Sequence, residues 1–416
     1  MKKSLYISII GIVGLSLAGC ASSAGTAKEE VVSAQAETVI EETAEPAAES
    51  TTEQPALKEA VTDESEEAVS SEPEELDPIE ISEEYFPDAA MRAAVSECFD
   101  EDGDGILTSE ERRFAMHLVV AGNRMYGAEP SDDLCKSLEG IEYFPNLTEI
   151  YAGSNNIEEV DLSKNEYLES FVISNNSLKE LDLSVCPSLT KVSCDYNKEL
   201  TSVKIDNPEL ATLNCVSCSI KELDLSSCKK LDYLHCGNNE LTELDLSGNP
   251  ALRIAYVRGN GITELDVSKN VNLEGLGIDN TPIASIDLSA NEKLTNLNCG
   301  WSSISALDLS HNTKLTHLGI DDAPIDTVDL SANPELIFFS CQAGNLTKLD
   351  LSNNPEMQYL DIQFLPLKEL DISNCKKLID VIENGEKSDI SDRKAWNGTE
   401  NHEGQIQVPL NCKLIY

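Results

Sequence analysis

Apolar and polar positions alternate with a period of 21 across residues 147–377. One unit reads Leu231-Asp-Tyr-Leu234-His-Cys236-Gly-Asn-Asn239-Glu-Leu241-Thr-Glu-Leu244-Asp245-Leu246-Ser-Gly-Asn249-Pro-Ala, and the next begins at Leu252. The central Asp recurs as Asp224, Asp245, Asp266, Asp287, Asp308, Asp329, Asp350 and Asp371, with Asp161 and Asp182 ahead of them. Between the two runs the register slips: Val203-Lys204-Ile205 follows one inserted residue, and the next unit is one shorter. About eleven units are present, and an internal repeat of this length dictates a stacked architecture. Each unit holds two apolar triplets with strand-like alternation, such as Leu244 in, Asp245 out, Leu246 in. Asn, Ser, Gly and Pro separate the triplets, which are too short for helices. One unit cannot bury its own apolar edge, but stacked units cover one another. The pattern therefore predicts a mainly β, right-handed solenoid of short parallel strands around a Leu/Ile/Cys core.

The run Leu-x-x-Leu-x-Cys-x-x-Asn-x-Leu is the leucine-rich-repeat signature. The chain resembles bacterial leucine-rich repeats whose 21-residue unit ends in Leu-x-x-Leu-Asp-Leu. That resemblance covers about 230 residues. It implies strands on two sides of the solenoid and no helices between them.

Stacking in register creates three ladders. Cys194, Cys215, Cys236, Cys299 and Cys341 share one inward slot with Ile173, Val257, Ile278, Ile320 and Ile362. A slot that accepts Cys or Ile is apolar, so these are buried structural thiols rather than metal ligands. Asn165, Asn249, Asn270, Asn291, Asn312, Asn333 and Asn354 form a second ladder, with Cys186, Cys228 and Cys375 substituting. Buried amides there satisfy backbone groups of the turns. The third ladder is the outward Asp row, read as a solvated acidic face that discourages edge-to-edge pairing.

Ahead of the repeats, Lys2 and Lys3 precede an apolar run over residues 5–17, too short to span a membrane. Leu17-Ala18-Gly19-Cys20 resembles the bacterial lipobox. The resemblance makes residues 1–19 a removed signal peptide and Cys20 the lipid-anchored first residue of an extracytoplasmic protein. Residues 20–84 read as an acidic linker, with 20 acids against two lysines over residues 21–84. Such a composition buries too little surface to fold, and as a relaxed coil the linker spans about 45 Å.

Residues 85–136 hold the second sharp motif. Asp100-Glu-Asp102-Gly-Asp104-Gly105-Ile106-Leu107-Thr108-Ser-Glu-Glu111 has the spacing of an EF-hand calcium loop. Asp100, Asp102 and Asp104 supply carboxylates, Ile106 a backbone carbonyl, Thr108 a direct or water-mediated contact, and Glu111 a bidentate closure. A helix from Asp88 through Phe99 and an exiting helix over residues 110–120 are expected to flank it, with residues 117–121 either ending that helix or beginning an irregular first strand. No second loop is visible. The segment resembles the dockerin-like or EF-hand units that precede repeats in some bacterial surface proteins, which implies a calcium-bound cap over the open end of the core. Residues 137–377 are then the repeats and residues 378–416 a C-terminal cap.

The formal charge of −45 argues against nucleic acid, whose phosphates require Lys and Arg. No nucleophile–base pair, phosphate loop or His-Glu metal motif is present, so the expectation is a monomeric, non-enzymatic protein. A binding face is the stronger candidate. Outward positions of the first triplet carry Tyr151, Tyr233, His235, Tyr256, His317, Phe338 and Tyr359, and Trp301 follows in the turn. In a chain with only 5% aromatics, this concentration points to contact with a surface protein or glycan. The competing reading is that these rings pack over neighbouring turns, in an envelope spacer without a specific ligand.

Overall fold

The computed structural model describes residues 76–122, 134–384, 406–409 and 412–415. The leader, Cys20 and most of the linker lie outside the described residues. Each repeat contributes one three-residue strand, and consecutive strands pair in parallel with a one-unit offset. Tyr233, Leu234 and His235 lie beside Ile254, Ala255 and Tyr256, which in turn lie beside Gly275, Leu276 and Gly277. The result is a 13-stranded sheet from His117–Val119 through Tyr359–Asp361 to Ile406–Gln407. The middle residue of each strand points inward. Leu234, Leu297, Leu318, Phe339 and Leu360 are buried with the Cys/Ile slot beneath them. Burial pushes the slot's thiols up, to about 12 for Cys236, Cys299 and Cys341.

The expectation of strands on two sides needs correction. Among the described residues, the Leu-Asp-Leu triplets form strands in two places only. Glu180–Asp182 pairs with Ser202–Lys204, and Glu369–Asp371 with Lys413–Ile415. Elsewhere side chains do the work that a ladder would do. Each Asp accepts the N–H of the Ser two residues on, as Asp245 does from Ser247 at 2.8 Å, which turns the chain after the triplet. The carbonyls that follow are taken by the Asn ladder: Asn249 Nδ2 donates to Leu225 and Cys228 carbonyls of the coil below, both at 2.9 Å. Asn207 fills the same position in the slipped unit and donates to Leu183 and Cys186.

Helix α1 (Ala89–Phe99) starts at Asp88, whose carboxylate accepts the N–H groups of Ala90 and Met91. Its apolar side buries Met91, Val95 and Phe99, and the Phe99 ring lies 4.7 Å from Phe144. Phe86 stacks on Phe144 at 5.9 Å. Gly140 permits that packing: its φ is +110°, and a Cβ there would meet the Phe86 ring at 2.2 Å. The exiting helix is shorter than the sequence pattern suggested. Helix α2 spans Ser109–Phe114, and His117–Val119 instead opens the sheet beside Glu149–Tyr151. The reason is burial: Phe114 is 71% exposed, whereas Leu118 reaches the core as a strand residue.

The folded part also begins before residue 84, the expected end of the linker. Ile79–Glu80 pairs antiparallel with Ile106–Leu107 of the acidic loop, and the Ile81 N–H donates to the Gly105 carbonyl. Arg112 holds the same segment by donating to the Asp77 carbonyl, and to Tyr143 at 3.1 Å. At the other end, helix α3 (Lys376–Asn384) follows the last full coil. Ile406–Gln407 and Lys413–Ile415 then pair in parallel with strands of that coil.

Candidate functional site

Two places carry chemistry beyond packing. The first is the acidic loop after α1. Carboxylate oxygens of Asp100, Asp102 and Asp104 lie within 4.8 Å of one another. Backbone amides set this convergence. Asp100 accepts from Gly103 and Gly105, Asp102 from Asp104, and Asp104 from Ile106. Gly103 and Gly105, at φ +74° and +81°, supply the left-handed turns. Three carboxylates on one side of a tight loop fit a hard divalent cation. Glu111 is not part of this group. Its carboxylate accepts from the Glu101 and Thr108 amides and the Thr108 hydroxyl, and closes a capping box at the start of α2. Thr108 serves as the N-cap, and Ile106 lies in the two-residue ladder with Glu80.

The second place is the outer face of the 13-stranded sheet. Two outward strand columns run along it, and a third follows in the turn. The structure gathers the expected aromatics into two groups. Tyr256 meets Tyr233 edge-on at 6.3 Å and His235 at 5.4 Å. Burial and the charge of Arg258 hold the His235 imidazole down at about 4, so it is neutral at pH 7. Further along, His317, Phe338 and Tyr359 form a stack, with centroids 5.8 Å and 4.5 Å apart and the Phe338 and Tyr359 rings 6° from parallel. All six are half-buried. Tyr151 lies four strands before His235 and joins neither group.

Trp301 falls in the turn column, with a left-handed φ of +50°. Tyr196 and Phe364 occupy the same point of their coils at +59° and +64°, where Gly259 is the glycine of the column. A bulky residue in this conformation is strained by about 1 kcal/mol. Phe364 is 73% exposed, so packing offsets little of that cost. Phe364→Gly is therefore expected to raise the melting temperature, by up to about 1 kcal/mol in stability; a lower melting temperature would show that the ring is held by contacts.

The repeat register hid two features from sequence reasoning. Between the aromatic groups the outward positions are Gly275, Gly277, Asn296 and Asn298, and Gly319 follows on the strand of His317. Tyr256 leans over Gly277, where an added Cβ would come within 2.8 Å of its ring. Beside these run three carboxylates with little exposure, Asp279, Asp321 and Asp361. Burial pushes all three up, Asp361 to about 6. A carboxyl raised by folding contributes stability at low pH that is lost as pH rises through its folded value. Asp361→Asn should accordingly raise the unfolding midpoint at pH 7 more than at pH 5, and an equal shift at both would contradict this. Aligning the 21-residue units column by column would have exposed both features.

No family model matches the sequence, and no curated protein aligns with it significantly. Solved structures do. The functional domain of InlJ from Listeria monocytogenes, described as including a cysteine ladder, superposes with a TM-score of 0.56 at 27% identity, covering 73% of this chain and 75% of that one. This chain is a leucine-rich-repeat solenoid. The L. monocytogenes internalin InlF superposes at 0.45 with 19% identity over 68% of this chain and 97% of its own. A leucine-rich-repeat protein of Leptospira interrogans superposes at 0.45 with 16% identity over 56% and 74%. The free, buried thiols at Cys194, Cys215 and Cys236 make a cysteine ladder in this chain as well.

Proposed function

We propose that this chain is a non-enzymatic, lipid-anchored protein of a bacterial surface that presents its sheet face to a protein or glycan. The observation that carries this reading is the gathering of six half-buried aromatic rings onto one face of a rigid sheet. Rigid aromatic anchors contribute most of the energy in many interfaces at low entropic cost. The likeness to the InlJ domain supports an interaction scaffold. In this reading Cys20 carries the lipid and the acidic linker holds the solenoid away from the membrane. The test is binding of the full chain to immobilised matrix proteins, glycans and bacterial wall fractions. A saturable partner is expected, and silence across the panel with the chain folded would favour the envelope spacer.

Calcium in the loop at Asp100, Asp102 and Asp104 has a structural part in the same proposal. The loop strand Ile106–Leu107 pairs with Ile79–Glu80, where a second EF-hand would otherwise supply the partner strand. Fixing the loop therefore fastens the end of the linker to the solenoid. Millimolar calcium at an extracellular-type site stabilises a fold by about 0.5–2 kcal/mol. The full chain should melt at a higher temperature in calcium than in EDTA, and Asp104→Asn should remove the difference. Equal melting of the wild type in both would overturn the calcium site.

A further inference from the structure

The second half of the sheet face lacks a charge that its chemistry calls for. From Gly275 to Gln363, the two outward strand columns and the positions two residues past each strand contain Asp279, Asp321 and Asp361 but no Lys or Arg. Buried carboxylates are ordinarily paired with a cation, because neutral donors compensate only part of the lost hydration. Here the donors to Asp321 and Asp361 are neutral. Asp321 accepts from the Ser340 hydroxyl at 2.6 Å and the Gln342 N–H at 2.7 Å. Asp361 accepts from Gln342 Nε2 at 2.9 Å, the Gln363 N–H at 3.3 Å, Gln363 Nε2 at 3.3 Å and the Tyr359 hydroxyl. Gln342 thus bridges the two carboxyls, which lie two coils apart on the same face. Beside them stand the parallel Phe338 and Tyr359 rings. Further toward the start of the face, Arg258 bears on Asp279.

We infer that Asp321 and Asp361, with the Phe338–Tyr359 stack, form a docking point for an arginine or lysine side chain of a protein partner. The assignment rests on the proposed use of the sheet face and names the partner's chemistry. A guanidinium fits both halves of the feature. Its plane stacks on an aromatic face, which in this stack is the side of Tyr359 turned away from Phe338, and its donors reach carboxylates bidentately. An incoming cation also restores the pairing that two largely buried carboxylates lack, so the contact is favoured by what the free protein leaves uncompensated. A glycan offers hydroxyl groups but no such charge, which is why a protein partner is the occupant that charge complementarity selects.

The test is selection of a phage-displayed random dodecapeptide library on the immobilised full chain, with selected peptides re-measured against variants. Enriched peptides are expected to share an Arg or Lys, to lose at least tenfold in affinity when that residue becomes Gln, and to lose as much on the variant Asp321→Asn/Asp361→Asn. Asn keeps an acceptor oxygen for Ser340 and Gln342, and a melting temperature no lower than that of the unaltered chain verifies the fold. The variant removes two of 75 acids, so a peptide held by bulk charge would bind it undiminished; that result overturns the inference. Peptides that need Phe338 but carry no cation would overturn the cationic docking point and leave the sheet-face reading standing. Peptides indifferent to both Phe338→Ser and the double variant would overturn the two together.

Discussion

Replacing Asn312 with Ala is expected to destabilise the solenoid by about 2–4 kcal/mol. Asn312 is fully buried, and its Nδ2 donates to the carbonyls of Leu288 at 3.2 Å and Asn291 at 3.0 Å. Ala leaves each carbonyl with only its turn N–H, from Asn291 to Leu288 and from Leu294 to Asn291, and each bond lost in a place that water does not reach costs about 1–2 kcal/mol. The chain itself supplies the control. Cys186 occupies the same column and directs its Sγ at the carbonyls of Asn165 at 3.3 Å and Leu162 at 3.7 Å. The Oδ1 atoms of Asn291, Asn312 and Asn333 are buried without a hydrogen-bond donor, so a thiol gives up one donor but also removes an orphan acceptor. Asn312→Cys should therefore cost clearly less than Asn312→Ala. Urea unfolding midpoints of the two variants decide the matter. Equal losses would mean that the ladder stabilises through shape alone, and no loss from Ala would contradict its structural role.

Replacing Tyr233, Tyr256 and Phe338 with Ser is expected to weaken binding of a partner found in the surface panel by at least about 100-fold. Truncation of a central aromatic anchor commonly costs about 2 kcal/mol or more, and this variant removes anchors from both ring groups. The three rings stand outside the core: the inward residues of their strands, Leu234, Ala255 and Phe339, are unchanged. The loss of stability should stay near the edge-on Tyr233–Tyr256 and stacked Phe338–Tyr359 contacts, each about 0.5–1.5 kcal/mol. Affinity and melting temperature measured on the same preparation separate the two readings of these rings. A large fall in melting temperature with unchanged affinity would make them packing groups and remove the main support for a binding face.

The period was sufficient to read the solenoid, because a residue that recurs every 21 positions must occupy the same place in every coil. The Cys/Ile slot and the Asn ladder were legible for that reason. What the period does not encode is which side of the coil keeps a ladder. Leu-x-x-Leu and Leu-Asp-Leu alternate alike, yet the Asn amides and Asp turns take over hydrogen bonding on the second side. The length of α2 was illegible because Leu118 and Val120 suit a helix pattern as well as a strand, and only the vacant edge beside Glu149–Tyr151 decides between them. Ile79–Glu80 was hidden inside an acidic stretch whose composition outweighs two apolar side chains. On the sheet face the aromatics stood out in sequence, whereas Asp321 and Asp361 were lost among 75 acids until stacking placed them on a stretch of that face without Lys or Arg.

The most direct test of the sheet face is hydroxyl-radical footprinting of the full chain, alone and saturated with a partner from the panel. Binding should lower oxidation of Tyr233, Tyr256, Phe338 and Tyr359, while Tyr167 and Phe114, exposed elsewhere on the protein, react as before. Protection of Tyr167 or Phe114, with the four sheet residues unchanged, would contradict the assignment of the sheet as the working surface.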